Sequence, residues 1–198
     1  MKGQGKALEL VLVLFVLIVV VYVILQLFQS LLSQQTGKLN QIISGEEAKM
    51  EVTKAQDYCR SMCNAYQTNP SEKTLASFCT AFYEKNIDLN GDGKIDYAET
   101  SNYPEISLTG IGTCENRIPC FLIYECKSGT HTINANDCKD ALCRYYENQG
   151  MDNESIRNRI NTLLNPGSCY DKSKTYHWYA IAFGGKNIGE LTCGNSTE

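Results

Sequence analysis

Residues 88–99 read D-L-N-G-D-G-K-I-D-Y-A-E. Asp88, Asn90 and Asp92 place side-chain oxygens at positions 1, 3 and 5 of a twelve-residue turn. Gly93 at position 6 permits a sharp bend, Lys94 offers its carbonyl at position 7, and Ile95 is the apolar residue at position 8. Asp96 stands at position 9, where a ligand often acts through water, and Glu99 closes the loop as a bidentate carboxylate. Hard oxygens in this number suit Ca²⁺ rather than a transition metal. The alternative is an Asp/Asn/Gly-rich turn without metal, in which Asp88, Asp92, Asp96 and Glu99 would repel one another. The chain has one such loop, so the site reads as structural rather than as a sensor.

Sulfur is the second chemistry-bearing group. The cysteines are Cys59, Cys63, Cys79, Cys114, Cys120, Cys126, Cys138, Cys143, Cys169 and Cys193. An even count at this density points to a disulfide framework in an oxidising compartment. There is no C-x-x-C, which argues against zinc ribbons and thioredoxin-like redox sites. Cys59 and Cys63, at i and i+4, project from one helix face and are expected to bond other segments rather than each other. Cys79 on the next helix is a natural partner for one of them. Cys169 and Cys193 bracket the last segments and are paired with each other in the simplest reading, one of several hundred connectivities that ten cysteines allow.

Other chemistry is sparse. The two histidines, His131 and His177, come with no G-x-S-x-G, no H-E-x-x-H and no complete phosphate loop, so the expectation is not an enzyme. A net charge of −4 without Lys/Arg clusters argues against nucleic acid as a partner. Asn153-Glu-Ser155 and Asn195-Ser-Thr197 are glycosylation sequons. Tyr176-His177-Trp178-Tyr179 is the densest aromatic stretch, read either as a sugar-binding or adhesive surface or as strand alternation packed into the core.

The elements that must position these residues follow from periodicity and punctuation. The run Leu10–Leu25 has no polar side chain except Tyr22. It extends to an apolar helix over 7–35, long enough to span a bilayer. Ser44 with Glu47 forms a capping box, so a helix restarts there and runs to about Gln67, unless 7–67 is one kinked rod; Asn69-Pro70 ends it either way. A helix capped by Asn69 or Ser71 carries Leu75, Phe78, Cys79 and Phe82 on one face. Residues 118–126 suggest a buried strand, 127–129 a turn, and 131–133 a return strand. Helices are expected over 135–148 and 154–165, then two or three strands broken at Gly184-Gly185.

Lys2 and Lys6 precede the apolar run and the next basic residue is Lys38, which puts the N-terminus in the cytoplasm and the remainder outside. The opening MKGQGKALELVLVLFVLIVV joins Lys2-Gly3, then Gln4, then Glu9 at the mouth of the apolar segment. In these residues the chain resembles archaeal type IV pilins and pilin-like proteins with a class III signal peptide. The resemblance covers about the first 35 residues. It implies cleavage between Gly3 and Gln4, packing of the apolar helix into a filament core, and pairing of Glu9 with a neighbouring subunit's N-terminal amine. Glu9 falls at the sixth mature position, where the family usually has its acid at the fifth. The loop at 88–99, with a helix before it and about one turn of helix after it until Pro104, resembles an EF-hand or dockerin-type loop.

These readings define an α+β fold: a long N-terminal hydrophobic helix bearing a disulfide-rich extracellular α+β head. Residues 1–3 form a leader, 4–35 the membrane or filament-core helix, 36–68 its continuation or a linker, and 69–198 the head. The expected function is that of a subunit of an extracellular filament. It would be inserted in the cytoplasmic membrane before assembly, partner copies of itself, bind Ca²⁺, and offer its surface to glycans or other adhesion targets. The alternative is a non-polymerising, single-pass membrane-anchored adhesin or receptor.

Overall fold

Val52, Ala55, Cys59 and Cys63 recur at helical spacing and all four are buried, so the first helix is held by a single stripe. The computed structural model describes residues 46–194 and the single position Val19. Within that range helix α1 occupies 46–68. Pro70 follows it, and Ser71 caps α2 (Glu72–Cys79) through a reciprocal box with Thr74. Strands β1 (Phe82–Tyr83), β2 (Tyr97–Ala98), β3 (Thr113–Cys114) and β4 (Ile118–Pro119) come next. They form two antiparallel pairs, Phe82 opposite Pro119 and Tyr97 opposite Cys114. A single helical turn, α3 (Cys120–Ile123), leads to the hairpin β5 (Lys127–Ser128) and β6 (His131–Thr132). Helices α4 (Ala135–Glu147), α5 (Asn153–Leu163) and α6 (Trp178–Phe183) complete the domain.

Two apolar clusters fill the interior. One gathers the α1 stripe with Phe78, Ile87, Leu89, Ile106, Leu108 and Ile118. The other joins α4, α5 and α6 through Leu142, Ile156, Ile160, Trp178 and Phe183. Ile111, Phe121 and Leu122 pack against both. Asn161, on α5, ties down the end of the domain. Its amide nitrogen donates to the carbonyls of Arg157 and Leu191, and its oxygen accepts from the N–H of Gly189 and of Leu191. Each capacity of this buried amide is therefore met.

All ten cysteines are paired: Cys59–Cys120, Cys63–Cys126, Cys79–Cys138, Cys114–Cys169 and Cys143–Cys193. Cys59 and Cys63 do bond other segments, as their common face requires. Cys79 instead joins α2 to α4, and Cys169 and Cys193 take separate partners, which corrects the two simpler pairings. Each bridge closes a loop of 50 to 63 residues, and a lone loop of that size restricts the unfolded chain by about 4 kcal/mol.

The expected frame of a long N-terminal hydrophobic helix bearing an α+β head is also corrected. Among the described residues no helix is long and apolar enough to cross a membrane. Helix α1 is amphipathic, with Glu46, Glu47, Lys49, Arg60 and Asn64 on its surface, not continuously apolar. What is present is a small, mixed helix and strand domain with five disulfides, its strands two residues long. The segment 4–35, apart from Val19, lies outside the described residues, as do Gly3, Gln4, Glu9 and Asn195.

Several local expectations fail: Phe82, expected on the face of the second helix, lies in β1 because α2 ends at Cys79, and Lys127–Ser128, expected as a turn, form strand β5. Residues 118–126 are not one strand. Cys120 and Cys126 must reach Cys59 and Cys63, which sit one helical turn apart, about 6 Å along the axis. Six residues of extended strand would span about 20 Å, so the chain coils into α3 between them. The C-terminal aromatic stretch is not strand either. His177 caps α6 by accepting from the Tyr179 N–H, and Gly184, with φ at 64°, ends it in the left-handed conformation. The Gly-Gly pair is a helix stop rather than a strand break.

His177 is wholly buried against Tyr97, Tyr170 and Trp178. Burial, with the Lys174 ammonium adding to it, pushes its pKa from 6.5 down to about 4. The folded protein therefore refuses a proton that the unfolded chain accepts below pH 6.5. His177 contributes its full stability above that pH and loses it as the pH falls towards 4, about 3 kcal/mol in all. Chemical unfolding followed at several pH values should show this slope, and His177→Asn, which keeps a capping acceptor, should flatten it relative to the native chain.

Candidate calcium loop

The loop at 88–99 is built first by its own side chains. Asp88 Oδ1 accepts from the N–H groups of Gly91 at 2.7 Å and Asp92 at 3.2 Å, and its Oδ2 from Gly93 at 2.9 Å. Asn90 Oδ1 accepts from the Asp92 N–H, and Asp92 Oδ1 from the Lys94 N–H at 2.8 Å. Such short-range bonds are the reason Asp and Asn favour turns over helix. Gly91 and Gly93 take φ values of 74° and 81°, a region an L side chain enters only with strain.

The loop is then fastened from beneath. Ile87 and Leu89, on either side of Asp88, are buried in the first cluster. Asn102 donates its N–H to the Leu89 carbonyl at 2.7 Å and its side-chain amide to the Asn90 carbonyl. Glu115, with no solvent exposure, accepts from Leu89 N–H at 2.6 Å and Asn90 N–H at 3.4 Å through Oε1, and from Asp96 N–H at 3.0 Å through Oε2. Burial pushes its carboxyl pKa up, against these three donors, which pull it down. Neither Glu115 nor Asn102 stands out in the sequence. A lone acid after Cys114 carries no spacing signal, and its partners are backbone groups 19 to 26 residues away.

Asp88 and Asn90 are half-buried, whereas Asp92, Lys94, Asp96 and Glu99 are exposed. Ile95 is 40% exposed rather than packed. The flanks are not those of a helix–loop–helix unit. Helix α2 ends at Cys79 and β1 intervenes before Asp88, while the residues after the loop's midpoint enter β2 and pair with β3 instead of forming a helical turn. Pairing with β3 satisfies the backbone of Tyr97 and Ala98 in extended form, which excludes the helix.

The donor set consists of carboxylates, one amide oxygen and one backbone carbonyl, which in kind and number fits a hard cation. Among the described residues, the group of three or more Cys, His or carboxylate ligand atoms lying within 4.8 Å of one another is Cys114, Cys169 and His177. The four loop carboxylates are thus not gathered on a common point. The sulfurs of that other group are joined in a disulfide and are not thiolates. His177 Nδ1 accepts from Tyr179, so the imidazole proton sits on Nε2, 3.9 Å from Cys114 Sγ. This is a packed core histidine rather than a metal ligand.

Elsewhere, an open groove of about 350 Å³ is lined by Ile111, Phe121, Leu122, Ile133, Trp178 and Ile181 among others, none of its lining residues being an acid, base or thiol. Asn153 is exposed at the first position of α5, after the Asp152 cap. The fold and its bridges define the class, a disulfide-locked domain of helices and two-residue strands. No known protein family, curated protein or solved structure matches the chain.

Asp88 accepts from three loop N–H groups, one of them shared with Asn90, a task independent of any metal. Asp88→Ala should lower unfolding free energy by about 1 kcal/mol in excess EDTA, measured by guanidinium titration of the oxidised protein. Loss of a cation ligand alone would leave stability in EDTA unchanged.

Proposed function

We propose that this chain is a structural subunit of an extracellular type IV pilus-like filament, assembled through its apolar N-terminal stretch and presenting a head stabilised by disulfides and calcium. The observation that carries the proposal is the opening sequence: Lys2-Gly3 before Gln4, then Glu9, then the unbroken apolar run Leu10–Leu25, all joined to a polar, cysteine-rich domain. An apolar run of that length requires lipid or copies of itself as cover. Repeated head-to-tail contact between identical subunits yields an open filament. Glu9 is costly in either surrounding unless paired, and a neighbour's free amine at Gln4, left by cleavage after Gly3, meets that need. The five disulfides agree with an oxidising, extracellular location. Helix α1, further along the chain, is bonded to the head through Cys59 and Cys63, so tension along a filament would pass through covalent bonds.

In this reading Asp88, Asn90, Asp92, Asp96 and Glu99 hold Ca²⁺ with the Lys94 carbonyl. The ion supplies charge neutralisation at the loop, and the chain's own turns set the order in which oxygens are presented. Asn153 and Asn195 are the candidate glycan sites. Adhesion to glycans or other surfaces would be a property of the exposed head, and no reaction is assigned.

Mass spectrometry of the N-terminal peptide, on protein sheared from intact cells, tests the filament. A peptide beginning at Gln4 in the sheared fraction is the expected result. A peptide beginning at Met1 or Lys2, with the protein left in the membrane, overturns it in favour of an anchored surface protein. Calcium has its own test. At about 10 mM Ca²⁺ a site of extracellular strength adds about 1–3 kcal/mol, visible as a raised unfolding midpoint that EDTA reverses and Mg²⁺ does not reproduce.

A further inference from the structure

We infer that Glu115 is the positioning residue of the loop at 88–99: its carboxylate holds both ends of the loop in place before any cation arrives. The inference rests on the calcium reading only for what the loop is held ready to bind. Glu115 is fully buried, and a buried carboxylate persists only where its oxygens are satisfied. Here each oxygen serves a different end of the loop. Oε1 takes the N–H groups of Leu89 and Asn90 at the start, and Oε2 takes that of Asp96 at the far side. The backbone of the same residue repeats the pattern, its carbonyl accepting from the Ile87 N–H and its own N–H donating to the Asp96 carbonyl. One residue therefore links positions 87 to 90 with position 96.

Glu115 is itself fixed. It follows Cys114, which is paired with Tyr97 in the β2–β3 ladder and bridged to Cys169. The part of the loop that Glu115 does not hold is residues 91–95, which are exposed and whose Gly91, Asp92, Gly93 and Lys94 N–H groups are met by the loop's own Asp88, Asn90 and Asp92 side chains. Setting the two ends beforehand removes most of the ordering cost that a cation would otherwise meet. Glu115 does not touch the ion. It acts through the backbone, as outer-shell groups do in metal sites, where their loss costs about 10–100-fold in affinity.

The carboxylate is needed, not merely the shape. Glu115→Gln has one acceptor oxygen, so it can serve one end and must turn an NH₂ donor against the N–H of the other. The test uses the full chain in detergent with its disulfides formed. Amide hydrogen exchange is measured first in EDTA. In the native chain Leu89 and Asp96, whose N–H groups bond the buried Glu115 carboxylate, should exchange at least about tenfold more slowly than the exposed Ile95. In Glu115→Gln that protection should fall about tenfold or more at one end, with Ala141 and Leu142 of α4 unchanged as the folding control. Ca²⁺ is then titrated against the Gly91 and Gly93 amide resonances, and the variant should bind about 10–100-fold more weakly.

Leu89 and Asp96 exchanging as fast as Ile95 in the native chain overturn the clamp, and this arm holds even where the variant fails to fold. Unchanged exchange and equal affinity in a folded variant overturn it as well. A native chain that does not titrate with Ca²⁺ removes the calcium reading, and the exchange measurement alone then decides whether Glu115 sets the loop.

Discussion

The domain depends on a pair of covalent bonds from consecutive turns of one helix. Cys59 and Cys63 leave the same face of α1 and capture Cys120 and Cys126. Because the donors are one turn apart, the acceptors must also come close, and the chain between them is forced into a helical turn. Ile118 and Pro119, just before that turn, pair with Phe82 and Tyr83, so the bonds from α1 also fix where α2 ends and the loop begins. The apolar stripe Val52, Ala55, Cys59 and Cys63 then packs on Phe78, Ile87 and Leu89. The first core cluster is thus built around two crosslinks rather than around a sheet, as suits a small domain with limited apolar interior.

A second layer of constraint follows from burial of polar groups that must be satisfied. Asn161 meets the carbonyl and N–H groups of the last segment, His177 caps α6 from inside the core, and Glu115 meets the backbone of the loop at 88–99. Each satisfies backbone groups that regular structure leaves without a partner. The domain's strands are two residues long, so such contacts carry much of its uniqueness. The same logic explains why the loop can be local in its turns and non-local in its anchoring. Asp88, Asn90 and Asp92 bend it, and Glu115 and Asn102 hold it.

Much of this was legible in advance. The stop at Asn69-Pro70, a cap at Asn69 or Ser71 that falls to Ser71, the short return strand near 131–133 and the helices near 135–148 and 154–165 follow from capping, turn and periodicity rules; the turn expected at 127–129 does not, since Lys127–Ser128 is strand. The loop's Asx turns follow from its residue types. The strand expected at 118–126 and the strands expected after Cys169 were misread because short apolar runs have the same pattern in a strand and in a buried helical turn. The leaving helix was misread because β3, some 16 residues on, competes for Tyr97 and Ala98.

Sequence alone determined what is local or countable: a framework of ten cysteines, a polar cysteine-rich portion distinct from an apolar N-terminal run, and the order of oxygens at 88–99. These depend on residue type and on spacings within a few positions. Tertiary structure decided the pairing of the cysteines, the coiling of 120–123, and the choice of Glu115 as the residue beneath the loop. Those outcomes join positions that are 19 to 63 residues apart. Along the chain such partners look alike, and only the geometry of a packed core, in which bonds must be reached and buried charges satisfied, tells them apart.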